Sequence, residues 1–349
     1  MARGGTTMRQ GSGQRGEIAV VGAGSWGTAL SLTLARAGWR VRLWARRARI
    51  AEAIQSERRN PGYLSDFSLP AGVEATSELG EAVAGTAMVL LAVPSDGVGE
   101  ICTRLASCLG GSQPVVSAAK GLEHQTGRRL SEVIAECLGP RRQGPIAVLS
   151  GPNLAPEVAA EVATATVVAC DDAGFASEAQ AALSTPRFRV YTNRDVVGVE
   201  LGGALKNIIA IGAGASDGLG FGDNTKAALL TRGLAEMTRL GVALGARAET
   251  FRGLSGMGDL VATCASRKSR NYLVGYELAR GRELGDILAG MGQIAEGVET
   301  TRAARRLSDR SGVDMPITCA VHALLFEGVE PREAVRLLMT RAWRDELEP

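Results

Sequence analysis

The stretch Glu17-Ile-Ala-Val-Val-Gly-Ala-Gly-Ser-Trp-Gly27 decides the fold of this chain, because it joins a strand pattern to a helix pattern through glycines. Residues 17–21 are an apolar run of strand length. The helical run 28–37 follows, Gly38 ends it, and a second strand pattern covers 40–45. Strand, glycine turn, helix and strand in this order predict a unit that binds a dinucleotide.

The glycines of this turn, Gly22, Gly24 and Gly27, form the pattern G-x-G-x-x-G. In such turns the glycines permit the tight bend, let the backbone approach a pyrophosphate and let the helix pack on the strand. The N–H groups at the start of the helix then hold the pyrophosphate. The alternative is a glycine turn that binds nothing, which the order of the flanking elements disfavours.

The second strand pattern ends at Arg46-Arg47, which bears on the choice of nicotinamide cofactor. A site selective for NAD usually has Asp or Glu at this place, for the ribose hydroxyls, whereas arginine suits the 2′-phosphate of NADP. We therefore predict that NADP or NAD is the cofactor and that the NADP form is accepted. The alternative is that both arginines are only solvated.

Further strand patterns alternate with the helical stretches 97–109 and 126–138, which predicts a mainly parallel sheet with helices on both faces. Those strand patterns cover residues 87–93, 114–119, 146–149, 165–169 and 188–191. Lys120 and the turn Gly151–Asn153 follow strands directly, at the sheet edge where such folds bind ligands. Lys120 could reach a phosphate or a carbonyl oxygen; the alternative is a surface lysine.

After about residue 193 the pattern becomes almost wholly helical. The helical runs cover 195–213, 224–244, 270–280, 297–310, 317–326 and 331–344. We predict an α/β protein in which a Rossmann-type doubly wound sheet, residues 17–193, is followed by an all-α substrate domain, residues 194–349. Residues 1–16 have no apolar segment and are expected to be a disordered tail.

Lys206 lies inside the apolar helical run Val199-Glu-Leu-Gly-Gly-Ala-Leu-Lys-Asn-Ile-Ile-Ala210, on the same face as Gly202 and Gly203. Glycines in a helix interior cost about 1 kcal/mol each relative to alanine, so something is expected to approach the backbone there. One interpretation is a tight helix contact with a lysine that extends to solvent. The other is a functional amine, and spacing alone does not choose between them.

Lysine is scarce in this chain, because only Lys120, Lys206, Lys226 and Lys268 stand among 39 basic residues. Where positive charge alone was needed the chain has arginine, so the lysines are candidates for proton transfer by a group whose pKa can be lowered. Only two histidines are present, and a histidine base is poorly supported.

Composition excludes several classes of protein. The 349 residues are 45% hydrophobic and 22% charged, which is typical of a globular chain of two domains. A net charge of +2 gives no basic field for nucleic acid, and no apolar run reaches the length of a membrane span. The six cysteines form no C-x-x-C pair, which indicates reduced thiols in a cytoplasm. No His, Cys and Asp spacing fits a metal site.

Three further clusters lie in the second half. Gly214–Asn224 is predicted to be a flexible loop between two helices. A glycine loop delivers Asp259, and Thr263 lies one turn further along the same face if a helix follows. Ser269 is a reasonable N-cap for the next helix, and Arg270 beside that helix end favours a substrate phosphate. The alternative for this basic run is an exposed loop.

With these residues in place, the chain from about residue 17 to 340 resembles the bacterial-type NAD(P)-dependent glycerol-3-phosphate dehydrogenases. The resemblance rests on Gly22–Gly27, Lys120-Gly-Leu-Glu123, Ser150-Gly-Pro152, Gly202-Gly-Ala-Leu-Lys-Asn207, Gly256-Met-Gly-Asp-Leu260, Ser269-Arg-Asn271 and Ala295-Glu-Gly297. It implies reversible reduction of dihydroxyacetone phosphate to sn-glycerol 3-phosphate, a phospholipid precursor. It also implies a cytoplasmic enzyme that is expected to be a homodimer.

The resemblance also implies roles for particular residues. Lys206 matches the proton donor and acceptor, and Asp259, Asn207 and Thr263 join it in the catalytic group. The substrate-contacting positions are Lys120, Gly151, Asn153, Lys206, Asp259, Ser269, Arg270 and Asn271. The cofactor-contacting positions are Gly22, Gly24, Ser25, Trp26, Gly27, Arg46, Arg47, Lys120, Ala155, Arg270, Ile294 and Glu296. Asn153 departs from the family, which usually has Ser or Thr there.

Two other functions remain open at this point. Another two-domain reductase could act on a keto acid such as ketopantoate, with a lysine on its first helix after the sheet. A nicotinamide sensor without enzymatic activity could use the sheet half to control a partner, but this leaves Lys206, Asp259 and Ser269–Asn271 without a shared purpose.

Overall fold

The computed structural model describes residues 16–140, 142–343 and 345–346. The tail predicted at the N-terminus lies outside the described residues except for Gly16.

The first half of the described chain is built on one eight-stranded sheet with the strand order β3-β2-β1-β4-β5-β6-β7-β8. Its strands are β1 Glu17–Val21, β2 Arg40–Trp44, β3 Val73–Thr76, β4 Met88–Leu91, β5 Val115–Ser117, β6 Ile146–Ser150, β7 Thr164–Ala169 and β8 Phe188–Asn193. All neighbouring strands are parallel except β6 and β7. The order reverses at β1 and β4, so a crevice opens at the carboxyl ends of these two strands.

Helices cover both faces of this sheet. They are α1 Ser25–Arg36, α2 Ala48–Glu57, α3 Leu79–Val83, α4 Val98–Leu105, α5 Leu130–Leu138, α6 Ala155–Ala159 and α7 Ala173–Leu183. Leu30 and Leu34 of α1 belong to the core of one face, and Ile101 and Leu105 of α4 belong to the core of the other. The strands are apolar on both sides because both sides are covered.

The second half is helical in the described residues. Its helices are α8 Val196–Gly218, α9 Asp223–Ala243, α10 Ala248–Phe251, α11 Asp259–Ala265, α12 Arg270–Ala279, α13 Leu284–Gly290, α14 Gly297–Ser311, α15 Pro316–Phe326 and α16 Pro331–Met339. A π-helix, Leu254–Gly258, runs directly into α11. The predicted α/β sheet followed by an all-α half is confirmed.

Helix α8 is the centre of the helical half. It begins at Val196, three residues after β8 ends, where the Asp195 carboxylate caps it by accepting from the Gly198 N–H at 2.8 Å. By length and composition α8 could cross a membrane, but 83% of its apolar window is buried inside the protein. Its apolar side chains are therefore covered by the other helices rather than left for lipid.

The loop predicted at Gly214–Asn224 joins two helices but is shorter than predicted, because α8 continues to Gly218 and α9 begins at Asp223. The glycines belong to a helix crossing: a Cβ on Gly214 would lie 1.9 Å from the Tyr272 carbonyl oxygen, and one on Gly218 would lie 2.7 Å from that of Tyr276. On the facing helix α12, a Cβ on Gly275 would lie 1.8 Å from the Ile211 carbonyl oxygen. The glycines let the two backbones touch. The packing gained there offsets the free energy that glycine costs in the interior of a helix.

Other differences from the sequence prediction are local. Strand β3, Val73–Thr76, and the helices α2, α3, α6, α7, α10 and α13 have no counterpart in it. The last helix ends at Met339 rather than near residue 344. Most of these elements are too short to show a periodicity, so the tertiary contacts decide them. Helices α2 and α7, with 10 and 11 residues, are long enough and were missed.

We expect Gly214→Ala to destabilise the protein by at least about 2 kcal/mol, because the new methyl group would overlap a backbone carbonyl that cannot move aside. Gly212→Ala in the same helix is the control, since its Cβ would meet Leu229 at an ordinary 3.5 Å. The control should be neutral or stabilising by up to about 1 kcal/mol. Urea unfolding midpoints compare the two variants, and equal midpoints would contradict the packing explanation.

Candidate active site

The glycine turn after β1 has the geometry of a dinucleotide cradle. Gly22 has φ of +118°, and a Cβ there would lie 2.7 Å from the Ala92 carbonyl oxygen. A Cβ on Gly27 would lie 1.8 Å from the Gly22 carbonyl oxygen, so the helix rests directly on the turn. Gly24 has no atom within 4 Å of its Cβ position. Two glycines thus close the turn, and the third leaves open space for a ligand to approach the backbone.

The predicted cofactor residues near this turn differ in how they are held. Ser25 Oγ donates to Gln293 Oε1 at 3.2 Å, a contact between the two halves of the chain. Trp26 packs 6.5 Å from Phe188, centroid to centroid. Arg46 and Arg47 are exposed at the end of β2, and within the described residues neither guanidinium has a hydrogen bond or ion pair.

Lys206 is buried, and its ammonium group has two partners. Its Nζ donates to Thr263 Oγ1 at 2.6 Å and lies 3.0 Å from Asp259 Oδ1. Thr263 Oγ1 in turn donates to Asp259 Oδ1 at 3.2 Å, because the two residues are one turn apart in α11. Lys206 therefore does not extend to solvent; the amine is fixed by a hydroxyl and a carboxylate.

Lys120 binds the other oxygen of the same carboxylate. Its Nζ donates to Asp259 Oδ2 at 2.7 Å and to the Gly151 carbonyl oxygen at 2.7 Å. Burial lowers the pKa of Lys120 to about 8; Asp259 opposes this and Lys206 adds to it. Because Asp259 is only 2% exposed, its charge depends on these two cations.

Local sequence explains how three elements meet here. A Cβ on Gly202 would lie 2.8 Å from the Ser255 carbonyl oxygen, in the π-helix that delivers Asp259. A Cβ on Gly203 would lie 2.3 Å from Ser150 Oγ, at the end of β6. The two glycines therefore serve close packing on both sides of α8. That packing sets the separation between α8, which carries Lys206, and the segment that carries Asp259.

A second network lies one residue further along α8. Asn271 Nδ2 donates to Asn207 Oδ1 at 2.8 Å, and Asn271 Oδ1 accepts from the Gly297 N–H at 2.9 Å. Ser269 caps α12 by accepting from the Tyr272 N–H at 3.2 Å. The start of α12 is thereby fixed beside α8 and α14, while Asn207 stands outside the Lys206 and Asp259 cluster.

The remaining predicted residues lie around these networks. Arg270 donates to the Ile294 carbonyl oxygen at 2.6 Å, and the Ile294 side chain is exposed. Ala155 begins α6, directly after the turn that follows β6. Asn153 Nδ2 donates to Thr166 Oγ1 at 2.9 Å, whereas its Oδ1 is buried without a partner in the described structure.

Glu296 is held by a residue to which the sequence analysis assigned no role. The Ser95 N–H donates to Glu296 Oε1 at 3.1 Å, and Ser95 Oγ donates to Glu296 Oε2. His124 Nε2 lies 3.0 Å from the same Ser95 oxygen. Burial raises the pKa of Glu296. The available signal was position: Ser95 follows β4 at the point where the strand order reverses.

A separate cavity of about 640 Å³ lies between β8 and α10 and is lined by Tyr191, Arg247 and Leu254, among others. None of the predicted site residues lines it. Among the described residues, no group of three or more His, Cys, Asp or Glu is placed to hold a metal ion. Lys120, Lys206 and Asp259 instead meet where the sheet half contacts the helical half.

A doubly wound sheet with this glycine turn, followed by a helical half that supplies a buried lysine, defines a two-domain nicotinamide-dependent dehydrogenase. The family model of the NAD-dependent glycerol-3-phosphate dehydrogenase N-terminus matches residues 17–176, and that of the C-terminus matches residues 195–336. The chain belongs to the NAD-dependent glycerol-3-phosphate dehydrogenase family.

Individual relatives agree over nearly the full length. The glycerol-3-phosphate dehydrogenase (NAD(P)+) of Syntrophotalea carbinolica is 50% identical over 331 residues, covering 95% of this chain and 99% of that one. The enzyme of the same name from Koribacter versatilis is 51% identical over 326 residues, covering 93% and 97%. The crystal structure of glycerol-3-phosphate dehydrogenase from Coxiella burnetii has a TM-score of 0.90 at 41% identity, covering 94% of this chain and all (100%) of that chain.

The likeness to ketopantoate reductases is one of fold alone. A ketopantoate reductase from Ralstonia eutropha has a TM-score of 0.57 at 20% identity, covering 91% of this chain and 99% of that one. The rival reductases named above therefore share the architecture, and the family assignment separates this chain from them.

We expect the Lys120 ammonium group to lose its proton near pH 8 in the ligand-free protein, because burial disfavours the charged form. NMR of protein labelled with ¹³C-lysine follows this directly, since only four lysines are present. The signal with a midpoint near 8 should vanish in Lys120→Arg. In Asp259→Asn the midpoint should fall further, because the carboxylate that favours the ammonium form is gone. A midpoint near the 10.5 of an ordinary lysine would contradict this.

Proposed function

We propose that this chain catalyses the reversible reduction of dihydroxyacetone phosphate to sn-glycerol 3-phosphate with NADPH or NADH. One observation carries the proposal: Lys206 and Lys120, from different halves of the chain, bind the two oxygens of one buried carboxylate. A carboxylate shared in this way serves to position two amines. Two positioned amines suit a substrate that carries a carbonyl oxygen and a phosphate.

Counting donors supports this use of the two amines. An ammonium group has three N–H donors. Lys206 donates one to Thr263 and forms an ion pair with Asp259, and Lys120 donates two, to Gly151 and Asp259. Each amine keeps one donor for a ligand. With both lysines protonated, the cluster has one net positive charge, which favours an anionic substrate.

The role proposed for Lys206 is proton transfer at the substrate oxygen. The reduced nicotinamide, when bound, supplies the hydride for the carbonyl carbon. Lys206 gives the proton of its remaining N–H group to the oxygen as negative charge develops there, and in the reverse direction it takes the proton back. Lys120 stabilises the same charge, and Asp259 with Thr263 fixes the direction of the Lys206 ammonium group.

The start of α12 is proposed as the phosphate site. The N–H groups at the N-terminus of this ten-residue helix favour an anion, and Arg270 is its first residue. Ser269 and Asn271 flank it, and Asn271 is tied to α8 immediately after Lys206. Gly151 and Asn153 are proposed on the opposite side of the substrate. There the amide of Asn153 stands where the family resemblance implies a hydroxyl, and it is held by donating to Thr166.

The residues around the glycine turn fit a dinucleotide, because Gly24 leaves the backbone open and α1 begins at Ser25. We assign the cofactor to Gly22, Gly24, Ser25, Trp26, Gly27, Arg46, Arg47, Lys120, Ala155, Arg270, Ile294 and Glu296. Most of these residues lie in 17–193, the proposed dinucleotide-binding domain, and Arg270, Ile294 and Glu296 join them from the helical half. The proposed substrate and catalytic domain is 194–349, in which Asn207 is included, and Lys120, Gly151 and Asn153 contribute to the substrate site from the sheet half.

The proposal extends to the role of the product, the location of the protein and its assembly. The product is the backbone of glycerophospholipids, so the enzyme would supply their precursor. The cysteines Cys102, Cys108, Cys137, Cys170, Cys264 and Cys319 are all free, which suits a reducing cytoplasm. A homodimer is proposed from the family resemblance.

A substrate panel tests the activity. Purified protein is given dihydroxyacetone phosphate, ketopantoate or a 2-keto acid, with NADPH and NADH in turn, and the absorbance of the reduced nicotinamide is followed. Of the three substrates, only dihydroxyacetone phosphate is expected to oxidise the cofactor in the presence of the protein. Turnover with a keto acid instead would favour the rival reductases, and no turnover with any substrate would favour a nicotinamide sensor.

Lys206→Ala should lower kcat by at least about 10²-fold, because the proton donor is lost, while NADPH still binds. Lys268→Ala is the matched control, since Lys268 is an exposed lysine whose one ion pair among the described residues is with Glu157 at the surface. Steady-state kinetics and the fluorescence of bound NADPH are compared for both variants. A Lys206→Ala enzyme with unchanged kcat would remove this lysine from the chemistry.

Arg46→Ala and Arg47→Ala should raise the KM for NADPH about tenfold while changing that for NADH less than about twofold. The expected difference arises because a charged hydrogen bond to the 2′-phosphate is lost only with NADPH. Arg49→Ala, an exposed arginine in the first turn of α2, is the control. Equal changes for the two cofactors would mean that these arginines do not read the 2′-phosphate.

A further inference from the structure

A segment of the helical half, residues 291–297, crosses the crevice at which the strand order reverses. Ser25 follows β1 and Ser95 follows β4, and these strands are neighbours in the sheet. Gln293 accepts from Ser25 Oγ at 3.2 Å, and Glu296 accepts from Ser95. The segment is therefore bonded to both walls of the crevice in which folds of this type hold their dinucleotide.

The contact at Ser95 is the stronger of the two. Both oxygens of the Glu296 carboxylate accept from the same residue, one from its backbone N–H and one from its hydroxyl. Hydrogen bonds to a charged acceptor are roughly twice as strong as neutral ones. Ser95 is 2% exposed, so water competes little for the hydroxyl.

His124 completes a relay behind this contact. A serine hydroxyl has one proton, and Ser95 gives it to Glu296. The short approach of His124 Nε2 to the same oxygen, 3.0 Å, then requires that the imidazole donate. The relay runs from His124 to Ser95 to Glu296, so the hydroxyl can point in only one direction.

Gly121 leaves the space that the contact between Ser95 and Glu296 needs. A Cβ on Gly121 would lie 2.8 Å from Ser95 Oγ and 3.1 Å from Glu296 Oε2, so only glycine fits at this place. Gly121 directly follows Lys120, and Gly297 directly follows Glu296. Because Gly297 donates to Asn271, which donates to Asn207, the relay is continuous with the network beside Lys206.

We propose that Ser95, with His124 behind it, is a positioning residue for the nicotinamide cofactor: the relay fixes the Glu296 carboxylate across the crevice, in the orientation that a bound dinucleotide requires. The inference rests on the proposed function in one respect, that NADPH or NADH occupies this crevice. Neither Ser95 nor His124 takes part in the chemistry itself. Their effect is expressed in cofactor affinity rather than in turnover.

Ser95→Ala is the first test. Loss of one hydrogen bond to a charged group should raise the Kd for NADPH, followed by its fluorescence, about tenfold. The KM for NADPH should rise in parallel, while kcat and the KM for dihydroxyacetone phosphate should stay within about twofold. Ser177→Ala is the control, because Ser177 is exposed and its hydroxyl donates within its own helix, to the Ala173 carbonyl oxygen. A Kd that is unchanged, or that rises equally in the control, would overturn the proposal.

A pair of variants at position 124 separates positioning from folding and decides the question even if Ser95→Ala fails to fold. Gln has its amide nitrogen near the place of the imidazole Nε2, so His124→Gln keeps the donor, whereas His124→Leu removes it. His124→Leu should raise the Kd for NADPH at least about threefold, and His124→Gln should restore it. Equal affinities in these two variants would contradict the relay.

The outcomes also separate this inference from the proposed function. Wild-type protein that binds neither NADPH nor NADH would overturn both. Wild-type binding that persists unchanged in Ser95→Ala and His124→Leu would overturn the relay alone and leave the proposed activity intact.

Discussion

The buried carboxylate of Asp259 is the constraint on which the junction of the two halves depends. An isolated charge at this depth would be strongly unfavourable, so it requires partners. Lys120 comes from the end of β5 and Lys206 comes from α8, and each binds one oxygen. The sheet half and the helical half are therefore tied at a single carboxylate, to which each half supplies one cation.

Close contact between backbones makes this arrangement possible. Helix α8 has glycine at three places where another backbone or a buried hydroxyl crosses it: Gly202 faces Ser255, Gly203 faces Ser150, and Gly214 faces Tyr272. The small residues bring α8 close to the π-helix, to β6 and to α12. Side chains of ordinary size would hold these elements apart, and Lys206 would then be too far from Asp259. The close packing of α8 and the ion pair between Lys206 and Asp259 therefore depend on each other.

The sequence predicted those parts of the site that lie within one short segment of the chain, and it did not predict contacts between distant segments. The strand, glycine turn and helix at residues 17–37 are local, and so is the one-turn spacing that puts Thr263 against Asp259. The first part of the Gly214–Asn224 stretch was misinterpreted because glycine in a loop and glycine at a helix crossing look the same until the facing helix is known. Ser95 and Glu296 are far apart in the chain, and only the fold brings them together.

The sequence by itself determined the class of fold, the dinucleotide turn, the family and the short set of lysines from which a proton donor could be drawn, because each is written in contiguous residues or in composition. Only the tertiary structure decided that Lys206 is buried against Thr263 and Asp259, that Lys120 shares the same carboxylate, and that residues 291–297 span the crevice. These are contacts between residues distant in the chain, and their distances follow from how closely the helices and the sheet pack.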